Sequence, residues 1–241
     1  MKTIEYLFYD AGTLFGDYGH YYYFDQLFAS ERIIRTGLND TPAFINEPVD
    51  LVYLGAMNER HQIMAAERLL PFRDRLISCI ENGMHFLATC TAMDILGQSI
   101  DYEGKTQAML GLFDFTVKFQ RWPRINQFVY GEWNGIELTG HKSQFTKTTF
   151  GPGMDDRYFF KTKRGMGANP TDTREGIHYK HVYATQCMGP FFVINPGLMK
   201  HILRELDLPD DLPAEAAAFE AHANRLVEFK HPRASQAMEV S

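Results

Sequence analysis

The chain has 241 residues, 45% of them hydrophobic and 22% charged, with a formal net charge of −6. That is an ordinary composition for a soluble globular protein, and the length suits one large domain with a substantial core. The acidic balance and the lack of a basic run argue against nucleic acid as a partner. No apolar run approaches a membrane span and the N-terminus lacks a signal-peptide core, so a cytoplasmic protein without membrane insertion is expected.

Short apolar runs alternate with amphipathic stretches, the pattern of an α/β fold. Residues 4–9 predict a first strand, followed by a turn-rich loop carrying Gly12, Gly16 and Gly19, whose spacing does not match a dinucleotide fingerprint. A short, partly buried helix is expected over residues 22–29. Residues 50–54 predict a second strand, stopped by Gly55. Residues 58–80 predict a helix kinked or split by Pro71 and ended at Asn82-Gly83. A buried strand follows over residues 84–89.

Strand, helix and strand in this order imply a right-handed crossover in a parallel sheet. Function in such sheets lies beyond the carboxyl ends of the strands, where Gly55 and Cys90 both fall. In the second half, residues 113–118, 127–132 and 136–139 predict strands of an antiparallel extension. Residues 151–174 are expected as a long loop or hairpin, with Lys161-Thr162-Lys163-Arg164 as a solvated basic stretch. A further strand is predicted over 182–184 and helices over 195–206 and 213–229. No linker or repeat interrupts residues 1–231, which reads as a single domain, and residues 232–241 read as a frayed tail.

The most informative stretch is His85-Phe86-Leu87-Ala88-Thr89-Cys90-Thr91. An apolar strand ends at a cysteine and a helix-like segment starts at once, which presents the thiol at a sharp turn above a helix N-terminus, where a thiolate is favoured. An isolated cysteine there is also what a buried, inert small side chain looks like. Cys79 and Cys187 read as packing residues. Three cysteines without metal-ligand spacing predict neither a disulfide framework nor a zinc site, and no metal or cofactor is expected.

Four segments in register carry a resemblance: Leu14-Phe15-Gly16-Asp17-Tyr18-Gly19, the run from Leu54-Gly55 through Asn58-Glu59-Arg60 to Gln62, Leu87-Ala88-Thr89-Cys90, and Ile95-Leu96-Gly97. Together they resemble the class I glutamine amidotransferase family in its cobyric-acid-synthase-type branch, and within it the GatD glutaminase subunits of lipid II isoglutaminyl synthase. The resemblance implies a flavodoxin-like α/β domain whose mostly parallel central sheet is flanked by helices. It also implies L-glutamine as ancestral substrate and a Mur-ligase-like synthetase subunit, amidating a cell-wall precursor, as protein partner.

By the same resemblance Cys90 holds the nucleophile position. Backbone N–H groups of Thr91 and of the loop after Gly55 form the oxyanion hole, and Arg124, with Arg121 as its neighbour, grips the substrate carboxylate. The family's histidine base falls at Met188 in Thr185-Gln186-Cys187-Met188-Gly189-Pro190, and a thioether transfers no proton. A Gly-x-Glu-x-His-like stretch of the relatives reads Gly140-His141-Lys142-Ser143-Gln144, which leaves His141 as a possible shifted base. His85, His178 and His181 fall at the starts of their strands, at the opposite end of the sheet from Cys90. The expectation is a GatD-like subunit whose glutaminase activity is lost or altered; a degenerate partner-binding subunit and a glutaminase domain of cobyric-acid-synthase type are the alternatives.

Overall fold

A computed structural model describes residues 1–231; the tail expected over 232–241 lies outside the described residues. Strands β1 (Thr3–Leu7), β2 (Arg32–Thr36), β3 (Leu51–Leu54) and β4 (His85–Thr89) form a parallel ladder in the order β2-β1-β3-β4, which the strand Val182–Thr185 extends in parallel beside β4. Ile177–Tyr179 adds an antiparallel edge, making a six-stranded sheet. The backbone-paired neighbours β3 and β4 carry Gly55 and Cys90 at adjacent carboxyl ends, as the crossover pattern implied.

Alternation along these strands fills two cores, one on each face of the sheet. Val52, Leu54, Phe86, Ala88, Val182 and Ala184 pack with Ala65, Leu69, Leu76 and Ile80 of the helices between β3 and β4. Ile4, Tyr6, Tyr53, Leu87 and Tyr183 pack on the other face with Tyr21 and Phe24 of the helix Tyr18–Leu27 and with Leu198 and Ile202 of the helix Pro196–Glu205. Pro71 splits the long crossover helix into Glu59–Leu69, a short 3-10 turn Leu70–Phe72, and Arg73–Glu81. The proline ring occupies the first turn of the new segment, where no N–H is needed.

The second half departs from a simple antiparallel extension. Its strands form two separate four-stranded sheets, one of Ser99–Tyr102, Lys105–Ala108, Phe115–Phe119 and Thr146–Phe150, the other of Ile125–Trp133, Ile136–Gln144, Phe160–Arg164 and Arg174–Glu175. The expected strand over 136–139 runs on to Gln144, and the chain changes sheet at Phe145. The supposed basic loop contains the strand Phe160–Arg164, whose Phe160 and Thr162 are buried while Lys161 and Lys163 face out. Its charges masked a half-buried alternation: Lys163 pairs with Glu132, and Arg164 donates to the Phe229 carbonyl at 3.0 Å.

Close backbone approach at the carboxyl rim explains one glycine directly. A Cβ on Gly55 would land on the carbonyl oxygen of Gly12. Gly55→Ala is therefore expected to lower stability by about 1–3 kcal/mol, the usual cost of overpacking where backbone must move. Urea denaturation reads this as a lower midpoint at constant slope; an unchanged midpoint contradicts the close approach.

Candidate active site

Cys90 is the hinge between β4 and the four-residue helix Thr91–Asp94. Its backbone lies at φ 50° and ψ −126°, a region that residues with a Cβ rarely occupy and that costs about 1–3 kcal/mol. The strain is held by the Cys90 N–H donating to the Thr185 carbonyl at 2.7 Å across the neighbouring strand. The thiol borders a small pocket walled by Leu14, Phe15, Met57, Asn58, Glu59, Gln62, Thr91 and the segment from Ser143 to Thr146. Phe145, where the chain changes sheet, forms part of that wall.

Beside the thiol lies a buried carboxylate. Asp17 stands just before the helix Tyr18–Leu27, but its side chain turns inward instead of capping that helix. It accepts hydrogen bonds from Tyr53 Oη at 3.0 Å, from Thr89 Oγ1 at 2.9 Å and from the Ala56 N–H. His20 Nδ1 is 2.9 Å away; Nε2 accepts the Phe192 N–H at 3.0 Å, which leaves the ring proton on Nδ1. Gly189, next to Met188, approaches so closely that a Cβ there would land on Asp17 Oδ1.

A second buried carboxyl, Asp94, receives amide donors from Gln186 at 3.1 Å and Gln62 at 3.1 Å. Burial outweighs these hydrogen bonds and lifts the Asp94 carboxyl to about 7. Gln186 extends the network to Thr148 and to Gln144, whose amide donates to the Thr146 carbonyl at 2.8 Å. Lys142 turns away from the thiol into a fully buried ion pair with Glu175 and donates to the Gly167 carbonyl at 2.5 Å. Glu175 in turn accepts from Thr185 Oγ1 at 2.7 Å and the Gln186 N–H at 2.8 Å.

This environment reverses the sequence expectation of a favoured thiolate. Burial, then the Asp17 and Asp94 carboxylates, push the Cys90 thiol well above its ordinary value, and the Thr91 N–H opposes them only weakly. A helix of four residues supplies too small a dipole to compensate. Cys187 is pushed up to about 12 by burial and by Glu175, and packs against Gly140.

The loop expected to supply oxyanion donors is internally engaged. The Gly55 N–H interacts with the Tyr21 oxygen, the Ala56 N–H with Asp17, and the Met57 N–H with Thr91 Oγ1 at 2.9 Å. Arg124 lies in an adjoining surface depression with Arg121, Trp122 and Phe145, its guanidinium 5.0 Å from the Phe145 ring centre. Met188 is tied to the strand carrying His141, donating its N–H to the His141 carbonyl at 2.8 Å, and neither residue borders the Cys90 pocket. His141 is held down by burial and by Arg124, and its Nε2 is buried with no hydrogen-bond partner, the sulfur of Cys90 included.

Among the described residues, none of the nine histidines borders the pocket. His20 serves Asp17, His222 bonds the carbonyls of Ile194 and Glu137, and His61 sits beside Asn58. His85 and His181 stack on each other at the far end of the sheet, and His178 and His201 pack around Trp133 there. Sequence reading assigned no role to Asp17, Asp94, Gln62 or Gln186. Their common signal, polar side chains flanking strand ends in an apolar setting, identifies them only once the strands are placed side by side.

A parallel sheet with a cysteine elbow at its carboxyl rim defines the class I glutamine amidotransferase fold. A solved glutamine amidotransferase superposes with a TM-score of 0.56 at 14% identity, covering 85% of this chain and 99% of that one. Residues 16–195 match the CobB/CobQ-like glutamine amidotransferase domain, and the chain belongs to that family. It is similar to the subunit GatD of lipid II isoglutaminyl synthase (glutamine-hydrolyzing) from Staphylococcus aureus (strain N315), 26% identical over 222 residues, covering 88% of this chain and 87% of the relative. The GatD subunit of Streptococcus pneumoniae (strain ATCC BAA-255 / R6) is 24% identical over 210 residues, covering 81% and 76%.

The Asp94 carboxyl has a measurable consequence. Its folded value near 7 lies above the 3.8 of the free group, so the folded state holds this proton more tightly than the unfolded chain. Its contribution to stability is greatest near pH 4, falls as pH rises toward 7, and is flat above that, with a slope of up to about 1.4 kcal/mol per pH unit. The difference in unfolding free energy between the native chain and Asp94→Asn, measured by urea titration across pH 4–8, is expected to follow this curve. A difference independent of pH contradicts a raised Asp94.

Proposed function

We propose that this chain is a GatD-like amidotransferase subunit that has lost glutamine hydrolysis and acts as the partner-binding component of a synthetase. The observation that carries this reading is the pocket around Cys90, to which no histidine contributes among the described residues. Hydrolysis of a glutamine side-chain amide needs a thiolate, a group that takes its proton and returns one to departing ammonia, and N–H donors for the tetrahedral oxygen. Here the thiol is held protonated by burial and two carboxylates, and the loop donors are occupied. Met188 stands where the family resemblance puts the base. Loss of a general base alone costs on the order of 10²–10⁴ in rate.

The partner in this reading is a Mur-ligase-like subunit that amidates a cell-wall precursor, in keeping with the enzyme whose subunits the chain resembles. Arg124 and the exposed Trp122 lie in the depression that adjoins the Cys90 pocket through Glu59 and Phe145, which supports a role in meeting a substrate carboxylate or the partner. An active glutaminase is the second reading, favoured by the retained elbow at Cys90.

Ammonia release from L-glutamine by the purified chain, alone and with its ligase subunit, separates the two. The expected rate equals that of Cys90→Ala, while the complex with the ligase still forms. Met188→His alone is expected to add no Cys90-dependent rate, because position 188 does not border the pocket and the loop donors stay engaged. Turnover by the native chain that Cys90→Ala abolishes overturns the proposal.

A further inference from the structure

At the amino end of the sheet, opposite Cys90, a second group of chemically capable side chains converges. His85 opens β4, and His181 precedes the adjacent strand, its carbonyl accepting the Phe86 N–H at 3.0 Å. Parallel pairing in this register brings the two imidazoles together, with ring centres 4.3 Å apart. Glu205, the last residue of the helix Pro196–Glu205, extends Oε2 to 3.5 Å from His85 Nε2 and 3.3 Å from His181 Nδ1. The three ligand-type atoms lie within 4.8 Å of one another.

These contacts are not good hydrogen bonds. Both nitrogens of His85 and Nδ1 of His181 are buried without a hydrogen-bond partner, although the His85 side chain is only 4% exposed. Buried imidazole nitrogens left unpaired carry a desolvation cost that a native structure normally avoids. Tyr183 Oη donates to Oε2 at 2.8 Å, and His201 Nε2 stands 3.4 Å from Oε1, so the carboxylate is aimed by its neighbours.

We propose that His85, His181 and Glu205 form a binding site for a divalent transition-metal ion of the zinc class. Two imidazoles and a carboxylate are a donor set suited to zinc. Ligands about 2.0–2.2 Å from a tetrahedral centre are separated by about 3.3–3.5 Å, which the two contacts to Glu205 match. The His181 ring, 34% exposed, must tilt out of its stack so that its lone pair meets that of His85 on one ion. Tyr183 and His201 then act as outer groups that orient the carboxylate. The ion joins β4, its parallel neighbour and the Pro196–Glu205 helix, so its role is to fasten that helix to the sheet.

The test uses the untagged full chain, stripped with a chelator and titrated with Zn²⁺ by calorimetry, with Co²⁺ as a spectroscopic probe. One equivalent is expected to bind, with a higher melting temperature and a cobalt spectrum free of thiolate charge-transfer absorption. Affinity is expected to fall at least tenfold in His181→Ala and in Glu205→Gln, two partly exposed positions whose folding is checked by circular dichroism, and to persist in Cys90→Ser. No saturable binding, native affinity retained in both site variants, or a cobalt–thiolate spectrum overturns the proposal.

Discussion

The carboxylate of Asp17 is the interaction on which the carboxyl rim of the sheet depends. It accepts donors from Tyr53 and Ala56 at the end of β3 and from Thr89 at the end of β4, one residue before the elbow. His20 binds it from the first helix, and the Gly189 backbone packs directly against it. Four segments distant in sequence are thereby held in one geometry by one buried anion. The arrangement is stable because several donors face the charge, and a network satisfied in this way fixes a unique packing. The same charge opposes ionisation of the neighbouring thiol, so one group both builds the elbow and quiets it.

The other buried polar groups around the pocket point in the same direction. Asp94, in the helix that Cys90 begins, is surrounded by amides and hydroxyls instead of a cation. The buried cation at hand, Lys142, is committed to Glu175, a pairing that accounts for a lysine where the family resemblance leads one to expect a glutamate. Because a buried ion pair is costly to break, Lys142 is not free to serve the thiol. The cysteine elbow thus sits among buried polar groups that satisfy one another.

Much of the central sheet was legible because its signals are local. Apolar runs ending at Gly55 and Cys90 marked adjacent strand ends, Pro71 marked the split helix, and counting residues along strands put His85 and His181 far from Cys90. What could not be read depends on partners distant in sequence. The strand Arg32–Thr36 is a sheet edge with charged residues, and Phe160–Arg164 hides its alternation among lysines. The thiolate expectation failed for a similar reason: it rested on the local turn, whereas the thiol is raised first by burial among distant segments and then by the charge of Asp17, 73 residues away in the chain. The convergence of Glu205 on two histidines was equally invisible before the helix was docked on the sheet.

The account rests on a thiol held protonated by its burial and by the neighbouring carboxylates of Asp17 and Asp94, and titration of Cys90 reads this directly. Alkylation rates of Cys90 followed against pH, in a background lacking the other two cysteines, give its apparent pKa in the native chain and in Asp17→Asn. The account predicts a native midpoint above the about 8.5 of a free thiol, lowered when the charge at position 17 is removed. A native midpoint below the free value would contradict it, because Cys90 would then be a poised nucleophile in spite of Asp17.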